Sequence, residues 1–320
     1  MAPVTMIDRP AARRPRPLAW RIAAGILLLA MAWSAAGCGA ESLVSAAPAY
    51  KDLAYASASS AQKLDLYLPQ GAGPFPLIVA VHGGGFIMGD KSDGTGLAGG
   101  DQILSTGYAL ASLNYRLSGE AKFPAQIQDV KAAVRFLRAH AREYRLDPQR
   151  FGAWGASAGG NLVALLGTSC GVVALEGADL GSAGQSSCVQ AVVDWFGPID
   201  FVQMDQQFAG SSCTANHNDA NSPESQLIGA PIQQKPDTVR AANPITYVGP
   251  KSPPFLIQHG TADCNVPPKQ SQLLYDALKP AIGAEKVTLT FLEGAGHGGS
   301  QFSTAANMKL VTDFFDRYLK

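Results

Sequence analysis

Charge of either sign is scarce and unbiased in this sequence. Lys and Arg number 25, Asp and Glu 25, and together they make up 16% of 320 residues. A chain so balanced has no basic stripe with which to neutralise phosphates, which argues against a nucleic-acid partner. Histidine is scarcer, with five in all, no two at metal-ligand spacing and no H-E-x-x-H. No metal site is expected. A G-x-x-x-x-G-K-[ST] loop is missing, so nothing marks a nucleotide, and no cofactor is implied. Neither an internal repeat nor a coiled-coil heptad occurs, and no oligomeric state is specified. An apolar run near the start, Ile22 to Trp33, is too short for a comfortable transmembrane helix.

Glycine, by contrast, is plentiful, with 34 residues, and it is placed at informative points. Gly155-Ala156-Ser157-Ala158-Gly159 is a G-x-S-x-G pentapeptide between the strand-like Arg150 to Trp154 and the apolar, helix-like Asn161 to Gly167. A sharp strand-to-helix turn displays a serine hydroxyl above a sheet edge, and small flanking residues let the backbone pack tightly there. Pro76 to Val81 is a continuous apolar run, the pattern of a strand buried on both faces, and it ends in His82-Gly83-Gly84-Gly85-Phe86. Three consecutive glycines are costly to order. Their use is to aim backbone N–H groups at a ligand. In acyl transfer such donors stabilise a tetrahedral oxyanion, each by about 3–4 kcal/mol. The donors are assigned to Gly84, Gly85 and Ala158, with Gly83 as the bend.

Two further segments complete the pattern. Pro254 to Ile257 leads into Gln258-His259-Gly260-Thr261-Ala262-Asp263, which puts an aspartate just past a strand end. The β-branched run Val287 to Thr290 leads into Phe291 to Gly298, where His297 is flanked by glycines. The order Ser157, Asp263, His297 is that of α/β-hydrolases, in which the base comes last. A carboxylate is needed because the imidazole must hold one tautomer and bear charge as it takes the serine proton. Asp200, after the run Val189 to Ile199, and Glu293, four residues before His297, are rivals to Asp263 for that role. The remaining histidines take plainer roles. His82 and His259 bond within turns, His140 sits on the solvated face of a helix, and His217 lies in the polar loop Ser211 to Asn221.

The chain resembles the serine esterases of the α/β-hydrolase superfamily that carry an H-G-G-G oxyanion motif. More narrowly it is similar to bacterial bifunctional acetylxylan and feruloyl esterases, relatives of the hormone-sensitive-lipase group. The narrower likeness rests on Gly155 to Asn161 (GASAGGN), Val193 to Asp200 (VDWFGPID), Ser222 to Ile228 (SPESQLI) and Ala242 to Val248 (ANPITYV). It implies a small-molecule or carbohydrate ester as substrate. A neutral pocket rimmed by Phe86, Ile87 and Met88, with Trp195 and Phe208, would suit uncharged or aromatic ester groups.

The amino-terminal 38 residues read as an export signal. Arginines precede Ile22 to Trp33, and Ala35-Ala36-Gly37-Cys38 is similar to a lipoprotein cleavage box that would lipidate Cys38. Ordinary cleavage beyond Ala36 or Ala40 is the alternative, and a lipid on Cys38 would be the only route to a membrane. Either form places the protein outside the cytoplasm: periplasmic, secreted or anchored at the cell envelope. Export leaves four cysteines, an even count that suggests two disulfides. Cys170 and Cys188 flank one polar excursion and are expected to pair. Cys213–Cys264 would then tie a surface insertion to the loop of Asp263.

Residues 39–50 are expected to be linker and 51–320 one α/β-hydrolase domain. Strands are predicted at Leu64–Leu68, Leu77–Val81, Tyr108–Tyr115, Arg150–Trp154, Ala191–Phe196, Pro254–Gln258 and Val287–Leu292, the first two toward an edge. Helices are predicted at Pro124–Ala141, after Ser157, at Gln270–Lys279 and at Ala305–Tyr318. This alternation implies a mostly parallel sheet covered on both faces. Residues 201–250 break the rhythm and are read as a partial cap. A peptidase of prolyl-oligopeptidase type shares the triad order but needs room for a propeller domain. A non-catalytic binding module on this fold would tend to lose the serine or histidine.

Overall fold

A computed structural model of the chain describes Met1 and residues 47–93, 99–214 and 216–320. The chain divides into Met1–Gly39 and Ala40–Lys320, and every element below lies in the second unit. The expected signal segment, Cys38 and most of the expected linker lie outside the described residues.

Eight strands form one sheet: β1 Tyr50–Ala54, β2 Lys63–Tyr67, β3 Phe75–Val81, β4 Ala109–Leu113, β5 Leu146–Ala156, β6 Ala191–Trp195, β7 Phe255–Gly260 and β8 Val287–Leu292. Their order is β1-β2-β4-β3-β5-β6-β7-β8. β1 and β2 run antiparallel to their neighbours, and the strands from β4 through β8 pair in parallel. The seven predicted strands are all present. The eighth, β1, is an edge strand with largely solvated side chains, so it has no apolar alternation to read. Leu77–Val81, expected near an edge, is instead fourth in the order. All seven residues of β3 are buried, as befits a strand covered on both faces.

The period-two alternation of the strands sorts their side chains into two cores. Leu77, Val79, Val81, Phe151, Ala153, Val192 and Ile257 point to one face. There they meet the buried stripes of helices α2 Ala125–Ala139, α3 Ala158–Thr168 and α8 Lys269–Ile282. Ile78, Ala80, Leu110, Trp154, Val193 and Leu256 point to the other, against Ile103 of α1 Gly100–Ser105 and Met308, Val311 and Phe315 of α9 Ala305–Leu319. Full burial of each valine, leucine, isoleucine, methionine or phenylalanine among them contributes about 1.5–3 kcal/mol. Thr304 caps α9 by accepting from the N–H of Asn307.

Residues 201–250 hold only short helices and turns among the described residues. They include α5 Met204–Gln207, α6 Pro223–Ile228 and α7 Pro236–Ala242; the short α4 Val173–Glu176 lies earlier, in the excursion after α3. Ser222 accepts from the N–H of Ser225, Pro223 opens α6, and Gly229 in the left-handed region ends it. Phe201, Met204, Leu227 and Ile232 anchor the segment to the core. No helix among the described residues is long and apolar enough to cross a membrane.

Candidate active site

Ser157 stands where β5 gives way to α3, with φ 57° and ψ −124°. This region of backbone space costs a non-glycine residue about 1–3 kcal/mol and persists only where the surroundings enforce it. The surroundings here are glycines and a clamp. The Ser157 N–H donates to the Trp195 carbonyl at 2.9 Å, fixing the turn to the end of β6. A Cβ on Gly155 would stand 2.3 Å from the Gly159 carbonyl oxygen, and one on Gly159 would stand 2.1 Å from that of Val81. Neither position has space for alanine. One on Gly160 would meet Asp194 Oδ1 at 2.4 Å. Asp194 itself is buried, accepts from the Gly197 N–H at 3.0 Å, and has its carboxyl pushed up to about 7 by burial.

The loop after β3 wraps toward this turn. Gly84 and Gly85 have φ of +98° and +59°, values that L side chains rarely adopt. His82 holds the loop. Its ring stacks on Tyr115 with centroids 4.4 Å apart, and its Nδ1 lies 2.7 Å from the Gly83 carbonyl oxygen. Burial, opposed by that hydrogen bond, lowers the proton affinity of His82, so the ring is neutral and Nδ1–H is the donor. The peptide plane makes C=O and N–H point opposite ways. With the Gly83 carbonyl drawn to His82, the Gly84 N–H faces the opposite side. The Ala158 N–H, at the first position of α3, has no partner within the helix.

Asp263 and His297 arrive from the loops after β7 and β8. His297 Nδ1 is 2.7 Å from Asp263 Oδ2, and His297 Nε2 is 2.8 Å from Ser157 Oγ. Asp263 Oδ1 accepts from the N–H groups of Asn265 and Val266 at 2.8 and 2.9 Å. Burial would raise the Asp263 carboxyl, but hydrogen bonds from His259 and His297 outweigh it and hold it well below the usual carboxylate range. His259, fully buried, lies 3.1 Å from the same Oδ2 through Nε2 and 2.7 Å from Ser271 Oγ through Nδ1. The two loops are tied together by Ala262 N–H to the Ala295 carbonyl and by Gly294 N–H to Thr261 Oγ1. A Ser–His–Asp relay of this geometry can move a proton from a hydroxyl to the imidazole while the carboxylate holds the tautomer.

A cleft of about 640 Å³ opens over Ser157, with Gly84, Gly85, Ala158 and His297 on its wall. Phe86 and Trp195 line it as expected. Ile87 is not among the lining residues. Hydrogen bonds from the N–H groups of Ile87 and Met88 to the Gly84 carbonyl curl the loop, burying Phe86 and leaving Ile87 half-buried and Met88 exposed. Phe208 packs on His217 rather than on the cleft. Of the rival acids, Asp200 accepts from Gln203 at 2.6 Å and Glu293 is exposed; neither is hydrogen-bonded to His297. Sequence reading missed Phe196 and Phe302, which line the cleft beside His297, and His217 and Glu224, which line it from the cap segment.

Both expected disulfides are present, Cys170–Cys188 and Cys213–Cys264. Chain-entropy arguments give the second about 4 kcal/mol. Cys264 follows Asp263, so reduction is expected to lower ester hydrolysis before it unfolds the sheet. A reductant titration followed by both activity and far-ultraviolet circular dichroism checks this; coincident losses would contradict it.

The sheet order, with Ser157 at the turn after β5 and Asp263 and His297 in the loops after β7 and β8, is that of the α/β-hydrolase fold. The chain belongs to the BD-FAE family, whose model matches residues 64–278. It is similar to a truncated form of a carbohydrate esterase from gut microbiota, at 36% identity over 87% of this chain and 98% of that one, with a TM-score of 0.75. A bifunctional GH43-CE of Bacteroides eggerthii is 38% identical, with a TM-score of 0.74, over 84% of this chain and 35% of that chain. Esterase LipC of Mycobacterium tuberculosis is 30% identical over 225 residues, 70% of this chain and 53% of LipC. The chain thus spans about half the length of the curated mycobacterial relatives it matches.

Proposed function

We propose that this chain is an exported serine carboxylic ester hydrolase acting on short-chain acyl or hydroxycinnamoyl esters of carbohydrate. The observation that carries the reading is the continuous relay from Ser157 Oγ through His297 to Asp263, at 2.8 and 2.7 Å. Ser157 attacks the ester carbonyl as His297 takes its proton. The N–H groups of Gly84, Gly85 and Ala158 hold the oxyanion. His297 then returns the proton to the leaving alcohol, and water releases the acyl group from Ser157 by the same steps in reverse. Asp263 keeps His297 in one tautomer and balances its charge.

Residues 51–320 are the catalytic domain and 201–250 its partial cap, a reading supported by Thr214, Asn216, His217, Pro223 and Glu224 lining the cleft. Residues 1–38 are the export signal, and Cys38 its lipidation site. Two disulfides favour an oxidising compartment. Relatives described as carbohydrate esterases favour the substrate class.

Short acyl chains, or an aromatic acyl group on a sugar, are expected to be preferred to long alkyl chains. Among the described residues the cap has only short helices, so little surface is available to bury an extended tail at about 0.8 kcal/mol per methylene. Initial rates on acetyl, butyryl, long-chain and feruloyl esters, with acetylated xylan included, test this. Highest kcat/KM on long-chain triglycerides would refute it.

A further inference from the structure

The cleft has two unlike walls. Beside His297 it is aromatic, formed by Trp195, Phe196 and Phe302. The cap wall is polar, and it holds a histidine–carboxyl pair. His217 Nδ1 lies 3.1 Å from Glu224 Oε1, with both side chains nearly buried. The contact is short but not aligned as a hydrogen bond, and His217 Nδ1 and Glu224 Oε2 are both without a hydrogen-bond partner. Glu224 as a whole is 4% exposed. A buried carboxylate oxygen with no donor is costly, so natural proteins satisfy such groups or use them.

The pair is also held in place. Asp205 accepts from the N–H groups of His217 and Asn218 at 2.8 and 2.9 Å. Phe208 lies parallel to the His217 ring. Cys213, four residues before His217, is bonded to Cys264 beside Asp263. Pro223, next to Glu224, packs against the oxyanion loop so closely that a Cβ on Gly85 would meet its Cβ at 3.1 Å. Burial works against a proton on His217, but the Glu224 carboxylate outweighs it and raises the affinity of the ring. The His217 ring also bonds the backbone of Asn265, so it is held between the cap segment and the loop of Asp263, and what is left without a donor is Glu224 Oε2. It fits a site waiting for a donor.

We propose that Glu224, oriented by His217, is a specificity-determining residue that accepts a hydrogen bond from a hydroxyl of the ester substrate. The terminal torsion of a glutamate is soft, so Oε2 can turn to a bound hydroxyl without moving the chain. The hydroxyl belongs to a sugar alcohol or to a phenolic acyl group, and either offers the same donor. The inference rests on the esterase reading above and concerns which esters that site favours.

The test compares matched esters in the full chain. One pair differs in the alcohol, a monoacetylated pyranoside against cyclohexyl acetate. The other differs in the acyl group, methyl 4-hydroxycinnamate against methyl 4-methoxycinnamate. Each kcat/KM ratio, hydroxylated over non-hydroxylated, is measured for the parent, Glu224→Gln and Glu224→Asp. For one of the two pairs, Glu224→Gln is expected to lower the ratio about tenfold to a hundredfold, mainly through KM, because a hydrogen bond to a charged group is lost. The pair that responds identifies which side of the ester carries the hydroxyl. Glu224→Asp keeps the charge but retracts it, and is expected to lower the same ratio. Parent-like ratios in both variants for both pairs overturn the proposal. Failure of the parent to hydrolyse any of the four esters would instead strike the esterase reading beneath it.

Discussion

Ser157→Ala is expected to leave a folded protein that has lost ester hydrolysis by a factor on the order of 10⁶ in kcat. The hydroxyl is the only group that bonds covalently to the acyl carbon in the proposed mechanism. A residual rate above water, on the order of 10³–10⁴-fold, would come from the oxyanion donors and from binding. The fold should survive because the turn is fixed by other groups. The Ser157 N–H bond to Trp195 is backbone, and the close approaches of Gly155, Gly159 and Gly160 do not involve the hydroxyl. Turnover and thermal unfolding measured on one preparation check both halves. An alanine variant with parental kcat would remove Ser157 from the mechanism.

Asp263→Asn should cost about 10⁴-fold in kcat, and Asp200→Asn should cost little. The amide can present a donor to His297 Nδ1 and so hold the wrong tautomer. The loss is sharpened by the second histidine. Asp263 Oδ2 also faces His259, and Oδ1 is saturated by two N–H donors, so an asparagine must turn its NH₂ toward one donor or another. Asp200 bonds only within its own turn and toward Gln270, away from His297. Steady-state kinetics of the two variants, with circular dichroism to confirm folding, settle the ranking. The reverse ranking would move the acid to Asp200.

Much of this site was legible because its chemistry needs unusual backbone. Ser157 and Asp263 follow strands with buried ends, His297 follows the partly exposed edge strand β8, and each is announced by glycine. The glycines at 84, 85, 155 and 159 stand where a side chain is sterically excluded or φ is positive. Such positions restrict residue choice, so they show in a single sequence. The cysteines were legible too, since an even count in a chain read as carrying an export signal leaves few pairings.

What was not legible depends on long-range contact. β1 has no apolar periodicity and is held by pairing with β2. The place of β3 in mid-sheet follows from β4 inserting between β2 and β3, which no local pattern encodes. His217 reads as a loop histidine because its neighbours are Asn, Asp and Ser. Its burial is created by Phe208 and Glu224 on either side of it in the cap segment and by the Cys213–Cys264 bond, which reaches to the loop of Asp263. His82 and His259 were expected to bond within turns; His82 does so just after β3, whereas His259 lies in β7 and reaches Ser271 and Asp263, so the two support the loop of Gly84 and the loop of Asp263. Ile87 was assigned to the pocket by proximity along the chain, and the curl at Gly84 turned it away.

The central claim is that Ser157 is a nucleophile activated by His297. Reaction with a fluorophosphonate ester, which esterifies an activated serine and mimics the tetrahedral intermediate, tests it most directly. Intact-mass measurement should show one adduct per chain, peptide mapping should place it on Ser157, and ester hydrolysis should fall in proportion to labelling. His297→Ala should slow the labelling sharply. An unlabelled but active protein, or full inactivation with the adduct on another residue, would contradict the account.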